Sequence, residues 1–510
     1  MDIKILPANM SGKLAAVPSK SDAHRVIIGS ALSQKTTTIP YTRAISEDIQ
    51  ATINCLNSIG ADIKVGNDQI KVTPIDISKD HTQKYELDCN ESGTTLRFLL
   101  SIASALGGSF QIKGSGRLPE RPLSHLISQL KAHGMNFSQE KLPMTVTGNL
   151  TPGKYEFPGD VSSQYISGLL MALPLLDKTS TITMLSPLQS SGYVDMTIRT
   201  LSDFGIKISS GYDRNKAAIS GYDKTDITNR NKTDIGYNNK VDTANQDAIL
   251  DNQTCPGLAS QIYEIHGNQT YVTNSTNHIE GDWSNAAFWL CAGALSHDGI
   301  TVEGLDMDSL QRDKDIIRIL ESIGADISIS ERSTVEQSTN VGSKDERSAI
   351  EQSTKVRFID ERSTIGTSIN IKRNTLQAIE LDASQIPDLV PVIAAVLSVA
   401  EGTSIIKNAG RLRDKESDRL HSAAVNINAL GGNVKETNDG LEITGRPTLK
   451  GGTVKSFKDH RNVMSMAILN SVCNNEIIIE DAHAVNKSYP DFFGDMKILG
   501  GEAIVIQHRK

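Results

Sequence analysis

The chain has little that would staple it, span a membrane or pull it toward polyanions. Its 510 residues include five cysteines, Cys55, Cys89, Cys255, Cys291 and Cys473. None are spaced as C-x-x-C and the number is odd, which argues against structural zinc and a disulfide framework and fits a reducing cytoplasm. Aromatic residues make up only 5%, and there are no basic stripes with interleaved aromatics of the kind that grip nucleic acid. The formal charge of −8 argues against nucleic acid or an anionic membrane as the main partner. The longest apolar runs, Ile166 to Leu176 and Val390 to Ala400, fall well short of the roughly 20 residues that span a bilayer. The start, Ile3-Lys4-Ile5-Leu6, has no apolar signal core, so no secretory leader is expected. Small anionic ligands stay open, because a local cluster of Arg and Lys sets the field inside a cleft.

What is present is a repeat. The chain is too long for a single core and suggests two domains. A phrase ending in glycine recurs at Gly60, Gly134, Gly205, Gly324, Gly431 and Gly500. Each follows an amphipathic segment and precedes a β-like one, which predicts a helix closed by glycine and then a strand. The gaps are 74, 71, 119, 107 and 69 residues. The two long gaps each contain a low-complexity stretch, about 212–255, rich in Asn, Asp, Thr and Lys, and about 331–368, which repeats with a period of 15. Without them the spacing returns to about 70, so the pattern predicts six copies of one α/β unit and two surface insertions.

The helix starts repeat as well. Ser19-Lys20-Ser21, Ser92-Gly93-Thr94, Ser162-Ser163-Gln164, Ser284-Asn285, Pro387-Asp388 and Asp459-His460 each precede an apolar helical pattern. Small polar residues there cap helices, and a helix start also offers free N–H groups that suit phosphate. Most have Arg or Lys nearby. The densest charge run, Gly410 to Leu420, places Lys415 and Arg419 on one face if helical, and reads as one wall of an anion-binding cleft. Gly114 to Pro122 adds Arg117 and Arg121, and Asn486 to Asp491 adds Lys487.

In their order and spacing these motifs resemble the enolpyruvyl transferases, over essentially the whole chain outside the two insertions, and most closely the branch that acts on shikimate 3-phosphate. The resemblance implies an α/β fold of two domains, each of three βαβαββ units in pseudo-threefold arrangement. One domain would be discontinuous, residues 1–17 and 280–510, and the other inserted, 18–279. The implied reaction moves the enolpyruvyl group of phosphoenolpyruvate onto the 5-hydroxyl of shikimate 3-phosphate in chorismate and aromatic amino acid biosynthesis. No metal or cofactor and a cytoplasmic monomer are expected. By matching motifs, Lys20, Ser21, Arg25, Ser162, Ser163, Gln164, Ser190, Asp388 and Lys415 would hold shikimate 3-phosphate. Lys20, Gly93, Arg117, Gln164, Arg419, Arg461 and Lys487 would hold phosphoenolpyruvate, with Arg419 and Arg461 on its carboxylate. Asp388 would take the hydroxyl proton, with Glu416 and Lys20 in the proton traffic at C3. Arg97 and Arg121 are read as orienting their neighbours.

The sister activity on UDP-N-acetylglucosamine typically carries a Cys in a mobile loop aligned with Gly116–Arg117, and no cysteine lies near. Three positions depart from the family pattern. Pro18 meets Ser19 without an intervening Gly, Glu91 stands where Asn is more common, and Asp414 where an apolar residue is common. Gly93 is retained, which implies ordinary sensitivity to glyphosate, a competitor for the phosphoenolpyruvate site.

Overall fold

The computed structural model describes residues 1–77, 83–213, 260–331 and 367–506. Its helices are α1 (Lys20–Ala31), α2 (Glu47–Ser58), α3 (Gly93–Leu106), α4 (Ser124–Ala132), α5 (Ser163–Ala172) and α6 (Gly192–Asp203) in the first half. The second half holds α7 (Trp283–Leu295), α8 (Ile316–Ser322), α9 (Val390–Leu397), α10 (Arg419–Ala429), α11 (His460–Ala467) and α12 (Phe492–Ile498).

Among the described residues six small sheets accompany them, five of four strands and one of three. Lys84–Asp88, Gly108–Lys113, Met135–Phe137 and Met144–Gly148 show the pattern: the first two are parallel across α3, and the fourth lies antiparallel between the second and third. A parallel pair needs a crossover, and the helix supplies it. The three-stranded sheet (Thr37–Pro40, Asp62–Val65, Gln69–Thr73) gains a parallel bridge from Thr276 to Thr38. The last sheet, with Gly452–Lys455, Ile477–Glu480 and Ala503–Ile506, is completed by Asp2–Ile5 from the other end of the chain.

All six phrase glycines take positive φ, from +74° at Gly205 to +109° at Gly60, each just past an even-numbered helix. That left-handed turn is what releases each helix into the next strand. The odd-numbered helices are buried on nearly every side. All eight residues of α9 and all but Ser284 of α7 are buried, as expected of helices that are apolar all round.

The buried apolar side chains form two clusters. One gathers residues from Ala23 to Tyr271, the other Ile3 to Val17 with Trp283 to Leu499. The chain passes between them twice, and the two passages are bonded together: Ser19 N–H donates to the Glu280 carbonyl (2.8 Å) and Asp282 N–H to that of Val17 (2.8 Å). Gly281 is required here, because a Cβ would lie 2.5 Å from the Gly304 carbonyl oxygen.

The two low-complexity stretches lie largely outside the described residues. They join strand partners, Asp213 with Ser260 and Glu331 with Thr367. The strands therefore run into the expected insertion boundaries: 212, 213, 331, 367 and 368 are ladder residues, because backbone pairing continues to those positions. No helix among the described residues is long and apolar enough to cross a membrane.

Candidate active site

The starts of the odd-numbered helices face one cavity of about 380 Å³ between the two clusters. Capping explains most of their small polar residues. Ser19, Ser92, Ser162, Asp282 and Asp459 each accept from a backbone N–H in the first turn. The cap of α7 is Asp282, just ahead of the Ser284-Asn285 pair. The sixth start differs. Pro387–Leu389 is a 3₁₀ turn with no side-chain cap, so the Asp388 carboxylate is released to point at the cations. Each helix start leaves N–H groups and a partial positive charge toward the cavity.

The sequence-predicted residues Lys20, Ser21, Arg25, Gly93, Ser162, Ser163, Gln164 and Ser190 line one side. Asp388, Lys415, Glu416, Arg419 and Arg461 line the other. Eight Lys and Arg against six Asp and Glu make the lining net cationic in a chain of charge −8.

Arg419 organises the second side. Its guanidinium lies 2.7 Å from Asp388, 2.7 Å from Glu416 and 2.8 Å from Asp459. Lys415 adds a contact to Asp388 at 3.3 Å, and Arg461 bonds the Asp388 carbonyl at 2.7 Å. Burial favours neutral carboxyls, but here it is outweighed. Lys415, Arg461 and Arg419 hold Asp388 well below the usual carboxylate range, and Arg419 and Arg121 do the same for Glu416. Burial and the charge of Lys20 push His460 down to about 3, so its ring is neutral near pH 7. Burial raises the carboxyl of Asp313, which bonds the Ser284 hydroxyl, to about 6.

On the first side the two buried arginines, Arg25 and Arg97, rely on neutral hydrogen-bond partners. Arg25 donates to the Ser21 and Tyr193 carbonyls and to the Thr197 hydroxyl. Arg97 donates to the Gly93 and Pro122 carbonyls and to Gln164 Oε1 (3.0 Å), whose amide in turn bonds Thr94. Burial pulls both guanidinium groups down to about 10. The Lys20 ammonium sits 2.7 Å from Asp48.

Contacts cross from side to side. Arg121 reaches Glu416 at 3.2 Å, Arg411 reaches the Ser190 hydroxyl at 3.1 Å, and Lys20 N–H donates to Asp282 at 2.9 Å. Gly93 lets the arginines approach, since a Cβ there would lie 2.5 Å from an Arg97 nitrogen and 2.7 Å from one of Arg121.

Two predicted residues are not in the lining. Arg117 caps a 3₁₀ turn, Leu118–Glu120, and its half-exposed side chain reaches toward the Arg413 carbonyl at 3.5 Å. The turn carries Arg121, four residues on, to the cavity instead. Lys487 is buried, but its ammonium is held at 2.6 Å by Glu91 and at 2.7 Å by the Lys458 carbonyl. Arg97, Arg121, Arg411, Asp48 and Tyr193 line the cavity in addition to the predicted set. Arg411 lies inside the charge run that opens the second wall, and its neighbours Lys415 and Arg419 were the signal. Among the described residues no group of three or more His, Cys, Asp or Glu is placed to hold a metal ion.

The family model for EPSP synthase (3-phosphoshikimate 1-carboxyvinyltransferase) matches residues 6–234 and 258–496. The chain belongs to that family. A 3-phosphoshikimate 1-carboxyvinyltransferase of Clostridium kluyveri is 37% identical over 502 residues, covering 98% of this chain and 97% of the relative. One from Clostridioides difficile is 35% identical, covering 98% and 97%. Among solved structures, EPSP synthase from Acinetobacter baumannii superposes with a TM-score of 0.69 at 22% identity, covering 99% of this chain and 100% of that one. The enolpyruvyl transferase NikO from Streptomyces tendae gives 0.66 at 15%, covering 99% and 98%. These likenesses establish the two-domain enolpyruvyl transferase fold that the resemblance implies, in agreement with the six repeats.

Proposed function

We infer that the chain transfers the enolpyruvyl group of phosphoenolpyruvate to the 5-hydroxyl of shikimate 3-phosphate, giving 5-enolpyruvylshikimate 3-phosphate and phosphate. The observation that carries this reading is a pair of carboxylates, Asp388 and Glu416, each 2.7 Å from the one buried guanidinium of Arg419 in a net cationic cavity. Two polyanions have to meet there, and fixed cations and helix starts offset their repulsion.

Arg419 and Arg461 suit the phosphoenolpyruvate carboxylate, as arginine binds planar oxyanions in bidentate fashion. Lys20, Gly93 and Gln164 would flank its phosphate. Arg121 takes the part expected of Arg117, because it is Arg121 that lines the cavity beside Gly93. Ser21, Arg25, Ser162, Ser163, Gln164, Ser190, Lys415 and Asp388 would hold shikimate 3-phosphate, with Tyr193 and Arg411 added on their position.

The proton steps follow from the charge balance. Without ligand, the cations keep Asp388 and Glu416 ionised. Anionic substrates draw on the same cations, so both carboxyls rise toward the working range when substrate is bound. Asp388 then accepts the hydroxyl proton, and Glu416 with Lys20 moves the proton at C3.

We further assign the domains as 1–17 with 280–510, and 18–279, on the division of the apolar clusters. The four described cysteines are buried free thiols, which suits a reducing cytoplasm.

Phosphate release that requires both substrates tests the reading, in the intact chain and with both insertions deleted. Release with UDP-N-acetylglucosamine in place of shikimate 3-phosphate would overturn it. Glyphosate should inhibit competitively against phosphoenolpyruvate, and indifference at millimolar levels would count against the assignment of Gly93.

A further inference from the structure

Lys487 and Glu91 come from opposite halves of the molecule and meet at 2.6 Å. The lysine side chain is only 7% exposed and the glutamate 24%, so water screens the pair weakly. Three features hold the carboxylate in place. Gly116 lies against it, and a Cβ there would fall 2.3 Å from the Glu91 carboxyl carbon. Ser115 bonds Asn90 twice, N–H to carbonyl at 2.7 Å and hydroxyl to Oδ1 at 2.9 Å, tying the 114–117 loop to the 90–92 turn. Asn90 itself takes a left-handed φ of +47°, which turns the chain between the strand and α3.

Glu91 sits two residues before Gly93, in the turn that leads into the cavity wall. Lys487 precedes Ser488, which lines the same cavity. The pair is therefore one step behind the site. A lysine one step from an anion site, already satisfied by an internal carboxylate, is withheld from the incoming anion until that carboxylate lets go.

We propose that Glu91 is a positioning residue for the phosphoenolpyruvate site: an internal anion that occupies Lys487 and that the substrate phosphate must displace. The proposal rests on the functional reading above. Its direct consequence is that the carboxylate weakens phosphoenolpyruvate binding and leaves the other substrate alone. Removing the charge while keeping the shape leaves the ammonium on the neutral Lys458 carbonyl, without its partner carboxylate.

The test is steady-state phosphate release in the full chain, its Glu91→Gln and Glu91→Asn variants, Lys487→Met, and the double variant Glu91→Gln/Lys487→Met. Either Glu91 variant is expected to lower KM for phosphoenolpyruvate about fivefold, the size of one weakly screened ion pair, with KM for shikimate 3-phosphate within about twofold of the parent. On the Lys487→Met background the Glu91→Gln effect should vanish, which a merely structural role for Glu91 would not produce. An unchanged or raised KM for phosphoenolpyruvate in both variants, or the same effect on both backgrounds, overturns the proposal. If the unaltered chain releases no phosphate, the functional reading fails instead. Equilibrium binding of inorganic phosphate then tests Glu91 on its own, with tighter binding in Glu91→Gln expected and equal binding excluding the role.

Discussion

The two walls of the cavity hold similar numbers of cations by different means. On the wall from the second half, Arg419 is neutralised by three carboxylates within 2.8 Å. On the wall from the first half, Arg25 and Arg97 lean on carbonyls, a hydroxyl and an amide. The electrostatic outcome diverges accordingly. Burial lowers Arg25 and Arg97 to about 10, whereas Asp459, Glu416 and Asp388 overcome burial and raise Arg419. Buried cations whose hydrogen bonds go to neutral groups gain most when an anion arrives, so the first wall is suited to binding. The second wall is already balanced, and an anion entering it must redistribute charge, which is what proton transfer needs.

The sharpest way to break this contrast is Arg419→Met. It leaves three buried carboxylates facing one another, and stability should fall by about 3–5 kcal/mol with activity reduced at least about a thousandfold. Denaturant unfolding and phosphate release measure the two effects. If Arg25→Met were as damaging to stability, the walls would not differ as described.

Glu416→Gln comes next. Turnover should drop at least about a hundredfold while phosphoenolpyruvate binding changes little, read as kcat against a dissociation constant. A near-normal rate would remove Glu416 from the proton steps and leave it an ion-pair partner.

Gly93→Ala probes the first wall. The added Cβ must displace the Arg97 or Arg121 guanidinium, so KM for phosphoenolpyruvate should rise about tenfold with kcat less affected. An unchanged KM would mean that those arginines do not touch the ligand.

The smallest effect concerns pH. Burial and the neighbouring Glu280 raise the carboxyl of Asp22, beside Arg25, to about 7. Its folded pKa lies above the unfolded value near 3.9, so its ionisation costs stability as pH rises from about 4 to 7. Asp388 and Glu416 have the opposite sign. Their folded pKa values are depressed, so their contribution is present above about pH 4 and lost as the medium is acidified through the folded values. Asp22→Asn should therefore gain on the order of 1 kcal/mol relative to the parent at pH 8 and less at pH 5, measured by unfolding at both. An equal gain at both pH values would show that Asp22 does not titrate in that interval.

Much of this was legible in the chain because helix ends have strong local chemistry. A glycine after an amphipathic run and a Ser or Asp before an apolar one mark where a helix stops and starts, and six of each placed six helix starts around one centre. What local chemistry does not carry is the direction of a long side chain. Arg117 and Arg121 are both flanked by turn residues, and only the 3₁₀ turn at Leu118–Glu120 decides which enters the cavity. Asp282 and Ser284-Asn285 both read as cap chemistry, and Asp282, at the helix start, takes the bond from Asn285 N–H. The capture of Lys487 by Glu91 joins residues 396 apart in sequence and needs the tertiary fold to be seen. Asp388 reads as a reacting group but also as a plain helix start, and its freedom from capping is a fact of three dimensions.

Strand Asp2–Ile5 lies between Ile477–Glu480 and Ala503–Ile506 in the last sheet. That strand has its ladder partners only once 477–480 and 503–506 are in place, while the buried residues of the first apolar cluster, from Ala23 to Tyr271, include no partner from either of those segments. The second cluster is therefore a clasp made of two distant stretches of chain, and it closes only when both are present.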